Sequence, residues 1–473
     1  MSSPRRYERY AAELTAMIRS GELAPGARLP SIREASATRR ISPSTAFEAY
    51  YLLQARGLIE SRPRSGFFVR QTASPPPKRS PPPASRSQPV AVSDLVFEVL
   101  AATRQPGVAP LGSAFPSADL FPLQQLARAL STGMRQLDPA RIVEDLTPGN
   151  ATLRQQIALR YALSGTRVSP DEIVLTNGAL EALTLSLQAV TAPGDAVVVE
   201  SPCFYAALQA LERLGLQAIE IACDVEHGLD LEALREALRR HAVKACWLMP
   251  SFQNPTGSSM PDANRQALVQ LLEAHDVPLI EDDVYGELYH GAHPPRPAKA
   301  FDTRGLVMHC GSFSKCLAPG YRIGWVAAGR HAQAIERAKI MTTLSCAVPS
   351  QQALVHYLAH GGYERHLRAL RRTLARQCDL AARLAARYFP AGTRLSSPQG
   401  GYFLWVEFPT GIDTLQMHRD ALARGINIAP GQIFSATRRF GNCLRVNFGH
   451  PRDARFEPAL RTIGELASAA LRK

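Results

Sequence analysis

The run Gly311-Ser312-Phe313-Ser314-Lys315-Cys316-Leu317-Ala318-Pro319-Gly320-Tyr321-Arg322-Ile323-Gly324 lies two thirds of the way along a chain of 473 residues. Lys315 is one of very few lysines in an arginine-rich sequence. Its chemistry is specific: an amine can form a Schiff base with an aldehyde, and a guanidinium cannot. Arg322, seven residues on, suits a phosphate clamp, because its planar fork matches phosphate oxygens. The stretch therefore points to a cofactor with both an aldehyde and a phosphate.

Upstream, Glu281-Asp282-Asp283-Val284-Tyr285-Gly286 follows the apolar pair Leu279-Ile280. A carboxylate at the end of an apolar strand is costly unless it meets a cation, and a protonated pyridine nitrogen would supply one. Farther back, Pro250-Ser251-Phe252-Gln253-Asn254-Pro255-Thr256-Gly257 follows the run Ala245–Met249. Thr176-Asn177-Gly178-Ala179-Leu180-Glu181-Ala182 follows Ile173-Val174-Leu175 and opens a helix. There Gly178 lets the backbone approach an anion, and the helix start offers free N–H groups. Downstream come Pro398-Gln399-Gly400-Gly401-Tyr402-Phe403 and Leu444-Arg445-Val446-Asn447-Phe448. The short runs, Ala196–Val199 among them, are apolar throughout, as expected of strands buried on both faces. Their alternation with helical patterns predicts an α/β domain with a mostly parallel sheet. Taken singly, Asn254-Pro255 also reads as a turn, Tyr285 as core and Arg445 as an ion-pair partner.

Six motifs in this order resemble the class I aminotransferases, the fold type I pyridoxal-phosphate enzymes, over roughly residues 110–470. The resemblance implies a large domain with a smaller C-terminal α+β subdomain and pyridoxal 5'-phosphate as cofactor. It implies that Lys315 forms the Schiff base and that Asp282 pairs with the pyridine nitrogen, keeping the ring an electron sink. Asn254 and Tyr285 would bond the ring's 3-oxygen. Gly178, Ala179, Ser312 and Arg322 would hold the phosphate, Phe204 would stack on the ring, and Arg445 would bind an α-carboxylate bidentately. The sequence departs from some relatives in placing Glu144 where they carry a tyrosine that reaches the neighbouring subunit's phosphate.

Ahead of this body, residues 71–92 hold proline clusters that suit a semi-extended linker. The chain thus divides into 1–70, 71–92 and 93–473. Net charge is +13, of which residues 1–70, with twelve Arg and six Glu and no Lys or Asp, carry +6. Lys78, Arg79 and Arg86 add +3, so +9 sits in the first fifth. A basic head on a nearly balanced body suggests an anionic partner, nucleic acid first; solvated surface arginines are the plainer reading. Eight cysteines without a C-x-x-C pair suggest neither a zinc site nor disulfides, so no metal is expected. No apolar run approaches a membrane span, and Arg5, Arg6 and Arg9 precede no apolar core, so a cytoplasmic protein is expected.

The head reads as three helices and a hairpin. Tyr7, Tyr10, Leu14, Met17 and Ile18 have helical spacing up to Ser20, with Gly21 and Pro25-Gly26 as stops. Ser31 caps a second helix through Arg39, and Ser42-Pro43 opens a third that ends at Gly57. Leu58–Glu60 and Phe67–Val69, joined by Arg62-Pro63-Arg64-Ser65-Gly66, make a basic-tipped hairpin. This is a winged helix-turn-helix. Gly21–Arg33, Ser42 with Thr45, Gly57–Glu60 and Ser65-Gly66 are similar to the GntR superfamily. That resemblance implies that Arg33, Ser42, Ser44, Thr45, Arg64, Ser65 and Gly66 face double-stranded DNA, with Arg39 and Arg40 on phosphates. Pro43 stands where the family often has arginine.

A GntR-type head on an aminotransferase-like body resembles the MocR/GabR group of regulators. The resemblance implies a homodimer with heads crossing between subunits, and a pyridoxal-phosphate site that senses an amine or amino-acid effector, or the cofactor itself. An active class I aminotransferase with an attached DNA-binding head is the alternative.

Overall fold

The computed structural model describes residues 6–20, 22–23, 26–55, 58–62, 65–69, 87–101, 107–140, 142, 146–225, 227–360 and 362–472. They fall into two compact units, Met1–Pro75 and Pro76–Lys473. Gly21, Pro25, Gly57, Arg64, Glu144 and linker residues 71–86 lie outside the described residues.

In the first unit α1 spans Arg6–Ser20, α2 Ile32–Arg39 and α3 Pro43–Ala55. Helix α2 starts in a capping box: the Ser31 hydroxyl accepts the Glu34 N–H, and the Glu34 carboxylate accepts the Ser31 N–H at 2.7 Å. It stops at Arg40, whose left-handed φ of 50° no helix continues. Ser42 caps α3 by accepting the Thr45 N–H at 3.2 Å. Tyr10, Leu14, Ala46, Ala49, Tyr50 and Leu53 form the core, with Ile59 of strand β1 (Ile59–Arg62) and Val69 of β2 (Gly66–Val69). The two strands pair antiparallel, Arg62 opposite Gly66.

The second unit is built on a nine-stranded sheet. Its main strands are β3 (Gln88–Pro89), β4 (Ile173–Thr176), β5 (Ala196–Ser201), β6 (Gln217–Asp224), β7 (Val243–Leu248), β8 (Leu279–Asp282), β9 (Val307–Ser312) and β10 (Gly324–Ala327), in the order β3-β6-β5-β7-β8-β9-β10-β4. Pairings from β6 through β9 are parallel. Edge strand β3 and strand β10 run against their neighbours. β4, β8 and β9 are buried at every position, which is why no polar alternation marks them in the sequence. A four-stranded sheet, Arg394–Leu395, Phe403–Glu407, Cys443–Asn447 and Ala429–Pro430, makes the smaller C-terminal part with helices Gly362–Tyr388, Thr414–Leu422 and Phe456–Ala470.

One boundary differs from the reading above. Gln88 and Pro89 pair with Ala218 and Gln217, the Ser87 hydroxyl donates to Gln217, and Val90 and Val92 are buried. Residues 87–92 therefore belong to the body. Proline is tolerated at 89 because an edge strand can spare its N–H.

Candidate functional site

The carboxyl ends of the central strands bring the predicted residues of the body together. Asp282 ends β8, Ser312 ends β9, and Gly178 follows β4. Ligands of open α/β sheets bind at such ends, where loops diverge.

Three unsatisfied groups define the chemistry. Asp282 is 1% exposed, and neither carboxylate oxygen has a hydrogen-bond partner among the described residues. Burial pushes its carboxyl up to about 7. Asn254 is fully buried; its Oδ1 accepts from Arg445 Nη1 at 2.8 Å, while its Nδ2 has no partner. Arg445 is a fully buried guanidinium with no carboxylate among its partners. Its Nη2 donates to the carbonyls of Gly112 at 2.8 Å and Ser113 at 3.2 Å, and its face covers the Phe403 ring at 4.1 Å. Burial lowers its pKa, against the pull of Tyr205, Tyr285 and Tyr402 around it. A buried cation with only neutral acceptors is suited to an incoming anion.

Lys315 donates to the Ala114 carbonyl at 3.0 Å and lies 3.5 Å from the centre of the Phe115 ring. Burial and the nearby Arg445 push its amine down to about 7. Tyr285 is buried, its hydroxyl pushed up by burial, and its ring stands edge-on to Tyr402 and Phe403. Phe204 is half-buried, precedes the helix Tyr205–Arg213, and tilts against Tyr205 with 4.8 Å between centroids.

The anion cradle has a specific build. Gly178, at φ +89°, begins the helix Ala179–Val190, and a Cβ there would fall on the Arg322 guanidinium. A Cβ on Gly324 would lie 2.6 Å from the Gly178 carbonyl carbon. Both glycines are required by this close approach. Arg322 donates to the Asn177 carbonyl and to the Ser314 hydroxyl, each at 3.2 Å, and Ser312 and Ser314 hydroxyls are 2.9 Å apart. The Gly178 N–H already donates to the Thr176 carbonyl at 2.8 Å, so Gly178 contributes space and Ala179 opens the run of free helix amides.

Sequence reasoning missed the segment Gly112–Phe115. Its carbonyls receive Arg445, Lys315 and Tyr402, and the Asn447 carboxamide anchors it through Ser113 at 2.9 Å and Phe115 at 2.8 Å. No motif marks it, because it acts through backbone oxygens.

In the head, Arg33, Arg39, Arg40, Ser42, Ser44 and Ser65 are exposed and Thr45 is half-buried. Arg39 is tied to Glu13 at 3.3 Å. The Ser42 hydroxyl lies 2.9 Å from that of Ser44 and 2.8 Å from that of Thr45. Gly66, at φ +97°, has the Arg28 guanidinium beside it, a basic group that the sequence reading did not single out. Among the described residues no His, Cys, Asp and Glu cluster suits a metal, and no helix is long and apolar enough to cross a membrane.

Comparisons with known proteins agree with this geometry. The family "Aminotransferase class I and II" matches residues 122–463, and "Bacterial regulatory proteins, gntR family" matches residues 6–69. An uncharacterized HTH-type transcriptional regulator of Escherichia coli (strain K12), YdcR, is 48% identical over 99% of this chain and 100% of its own length. Kynurenine aminotransferase of Pyrococcus horikoshii, solved with PMP, superposes with a TM-score of 0.75 at 31% identity, over 80% of this chain and 95% of that one. LysN of Thermus thermophilus, an alpha-aminoadipate aminotransferase complexed with N-(5'-phosphopyridoxyl)-L-leucine, superposes with a TM-score of 0.71 at 27% identity, over 81% of this chain and 100% of that one. The orphaned Asp282 carboxylate, the glycine-lined anion cradle and the Lys315 amine, brought down to about 7, fit pyridoxal 5'-phosphate.

Proposed function

The chain belongs to the class I and II aminotransferase family and carries a gntR-family DNA-binding head, and from that premise we propose that it is a cytoplasmic transcription regulator governed by an amine or amino-acid effector. The observation that supports this most is the coexistence, in one chain, of a capped helix-turn-helix with an exposed basic face and a body that carries the buried, unpaired Asp282 carboxylate beside Lys315. Relatives that span this whole chain and share the head are named as HTH-type transcriptional regulators. In this reading the chain acts as a homodimer with exchanged heads on a double-stranded operator.

Pyridoxal phosphate, when bound, supplies a reactive aldehyde and an electron-withdrawing ring. Each residue then has a task. Lys315 offers an amine that loses its proton near neutral pH. Asp282 holds the proton at the ring nitrogen, since a buried carboxylate is stable only beside a cation. Asn254 Nδ2 and the Tyr285 hydroxyl hold the ring oxygen. Ala179, Ser312 and Arg322 hold the phosphate at a helix start, and Phe204 covers the ring. Arg445 exchanges the carbonyls of Gly112 and Ser113 for the effector's carboxylate, while Asn447 and Tyr402 keep the segment Gly112–Phe115 anchored. In this reading the effector favours one conformation of the body, and the linker passes that bias to the head.

The test is the visible spectrum of the purified protein with pyridoxal phosphate, repeated with single amino acids with and without a 2-oxo acid, beside operator binding. A spectrum that shifts with one amine and then holds, together with altered DNA affinity, supports the effector reading. Sustained conversion of the amino acid, with DNA affinity unmoved, overturns it in favour of an aminotransferase with an attached head, a reading favoured by the presence of Lys315, Asp282, Asn254, Tyr285 and Arg445 together. DNA affinity that follows pyridoxal phosphate and ignores amines makes the cofactor itself the signal.

A further inference from the structure

We infer that Phe47 is a specificity-determining residue that reads thymine through its 5-methyl group in the major groove. The inference rests on the DNA-binding reading above and identifies which base that reading selects.

Helix α3 is the second helix of the helix-turn-helix, the one that lies in the groove with its first turns against base edges. Ala46, Ala49, Tyr50 and Leu53 are each 0% exposed and hold it to the core. The opposite face presents Ser44, Phe47, Glu48, Tyr51 and Gln54, all exposed. Phe47 is 54% exposed and Tyr51 65%. Four residues apart, the two rings form one apolar strip. Neither joins the aromatic pairs of this unit, Tyr10 with Tyr50 and Tyr50 with Phe67. The core therefore does not explain them.

The charge of α3 narrows the ligand. Residues 43–55 contain no lysine or arginine and a single charge, Glu48. Guanine is read by an arginine or lysine donating to O6 and N7, so α3 lacks the means to select it. The hydroxyls of Ser42, Ser44 and Thr45 are engaged with one another. Gln54, which could pair with adenine, lies in the last turn of α3, and Glu48 offers only acceptors for cytosine; the large feature of the leading half of this face is apolar surface, and the apolar group in the major groove is the thymine methyl. Arg28, Arg33 and Arg40 are exposed and lie off α3, which suits them to phosphates. Phe47 stands one turn beyond Ser44, in the half of the helix that meets base edges, and this favours DNA over a protein surface as its partner.

The experiment uses the full-length protein with its cofactor. A preferred duplex is selected from a random pool, then resynthesised with deoxyuridine in place of each thymine in turn, which removes only the methyl. We expect roughly a three- to fivefold loss of affinity at one or two thymines of each half-site, the effect of uncovering one methyl group. Phe47→Ala weakens the parent duplex by a similar factor and is then indifferent to those methyls; Phe47→Leu keeps part of the sensitivity. Equal methyl sensitivity in Phe47→Ala and the parent protein, or selective binding that no methyl affects, overturns the role of Phe47 and leaves DNA binding standing. Unchanged methyl sensitivity with an altered oligomeric state on sizing assigns the ring to a protein contact and also overturns it. Failure to select any sequence, with no salt-dependent binding, removes the DNA-binding reading itself.

Discussion

Lys339 and Lys315 are two amines withdrawn from water in the same body, and their surroundings treat them in opposite ways. Lys339 is fully buried on the helix Ala332–Thr342 and donates to Glu181 at 2.9 Å and to the Thr343 hydroxyl at 2.6 Å. Burial alone would raise the Glu181 carboxyl, yet the hydrogen bonds from Thr343 and Lys339 outweigh it and hold that carboxyl below its ordinary value. Lys299 is handled likewise, with Asp302 and Glu172 each at 3.2 Å. Lys315 pairs only with the Ala114 carbonyl and the Phe115 ring among the described residues; Asp282 lies near enough to pull its pKa up, but burial and the like charge of Arg445 outweigh that pull. A structural lysine is held in an ion pair; this one is in no ion pair, so that it titrates near neutral pH.

Removing each amine should separate the two roles. Lys315→Ala should abolish the absorbance of the Schiff base between Lys315 and the cofactor, while a mobility-shift assay still detects DNA binding by the separate head. Loss of DNA binding in a folded variant would contradict that division.

Lys339→Ala should leave the absorbance in place and lower stability by about 1–3 kcal/mol, because the half-buried Glu181 loses its counter-charge and keeps only the Thr343 hydroxyl and the Asn177 N–H. A shift of the urea midpoint measures it. Lys339→Met with Glu181→Leu should recover most of the loss. A single variant as stable as the parent would place Lys339 with the functional group after all.

Arg445→Met should sharpen the contrast from the ligand's side. It should weaken an amino-acid effector by about 10- to 100-fold, the worth of a charge-assisted contact, and leave the matching amine without a carboxylate nearly unaffected. Titration of both ligands against the spectrum decides it. Equal losses would mean that Arg445 is structural.

The smallest expected effect is in pH. The amine of Lys315, brought down to about 7, gains its lone pair as pH rises through that value. Capture of added pyridoxal phosphate should therefore speed up about tenfold per pH unit below 7 and level off above it. Asp282 titrates in the same range and sits near Lys315, so the break belongs to the pair. A rate still climbing toward pH 10 would show an ordinary lysine.

Much of this was legible in the order of residues. Ser31 with Glu34, and Ser42 with Pro43, mark helix starts because capping is local chemistry completed within four residues. Asp282 stands out as a carboxylate at the end of an apolar strand, where only a ligand or a partner justifies it, and Lys315 as an amine in an arginine-rich chain. The packed stretch 87–92 was not legible: its prolines suggest a linker, and only the edge of β6, more than a hundred residues later, turns it into a strand. Nor was the engagement of the Gly178 amide, which depends on the turn its neighbours adopt.

The sequence by itself determined which groups could exist: one lysine of the right kind, a carboxylate, a carboxamide, two guanidinium forks, and a third helix of the head free of basic residues. These are choices of chemistry, and side chains carry them wherever the chain goes. Only the tertiary structure decided which of those groups would be satisfied. Arg445 finds Asn254 from 191 residues away and the Gly112 carbonyl from 333, Lys339 finds Glu181 across 158, and Lys315 is left without an ion pair among the described residues. Protonation state and reactivity follow from burial and from partners distant in sequence, and these arise only when the sheet brings its strand ends together.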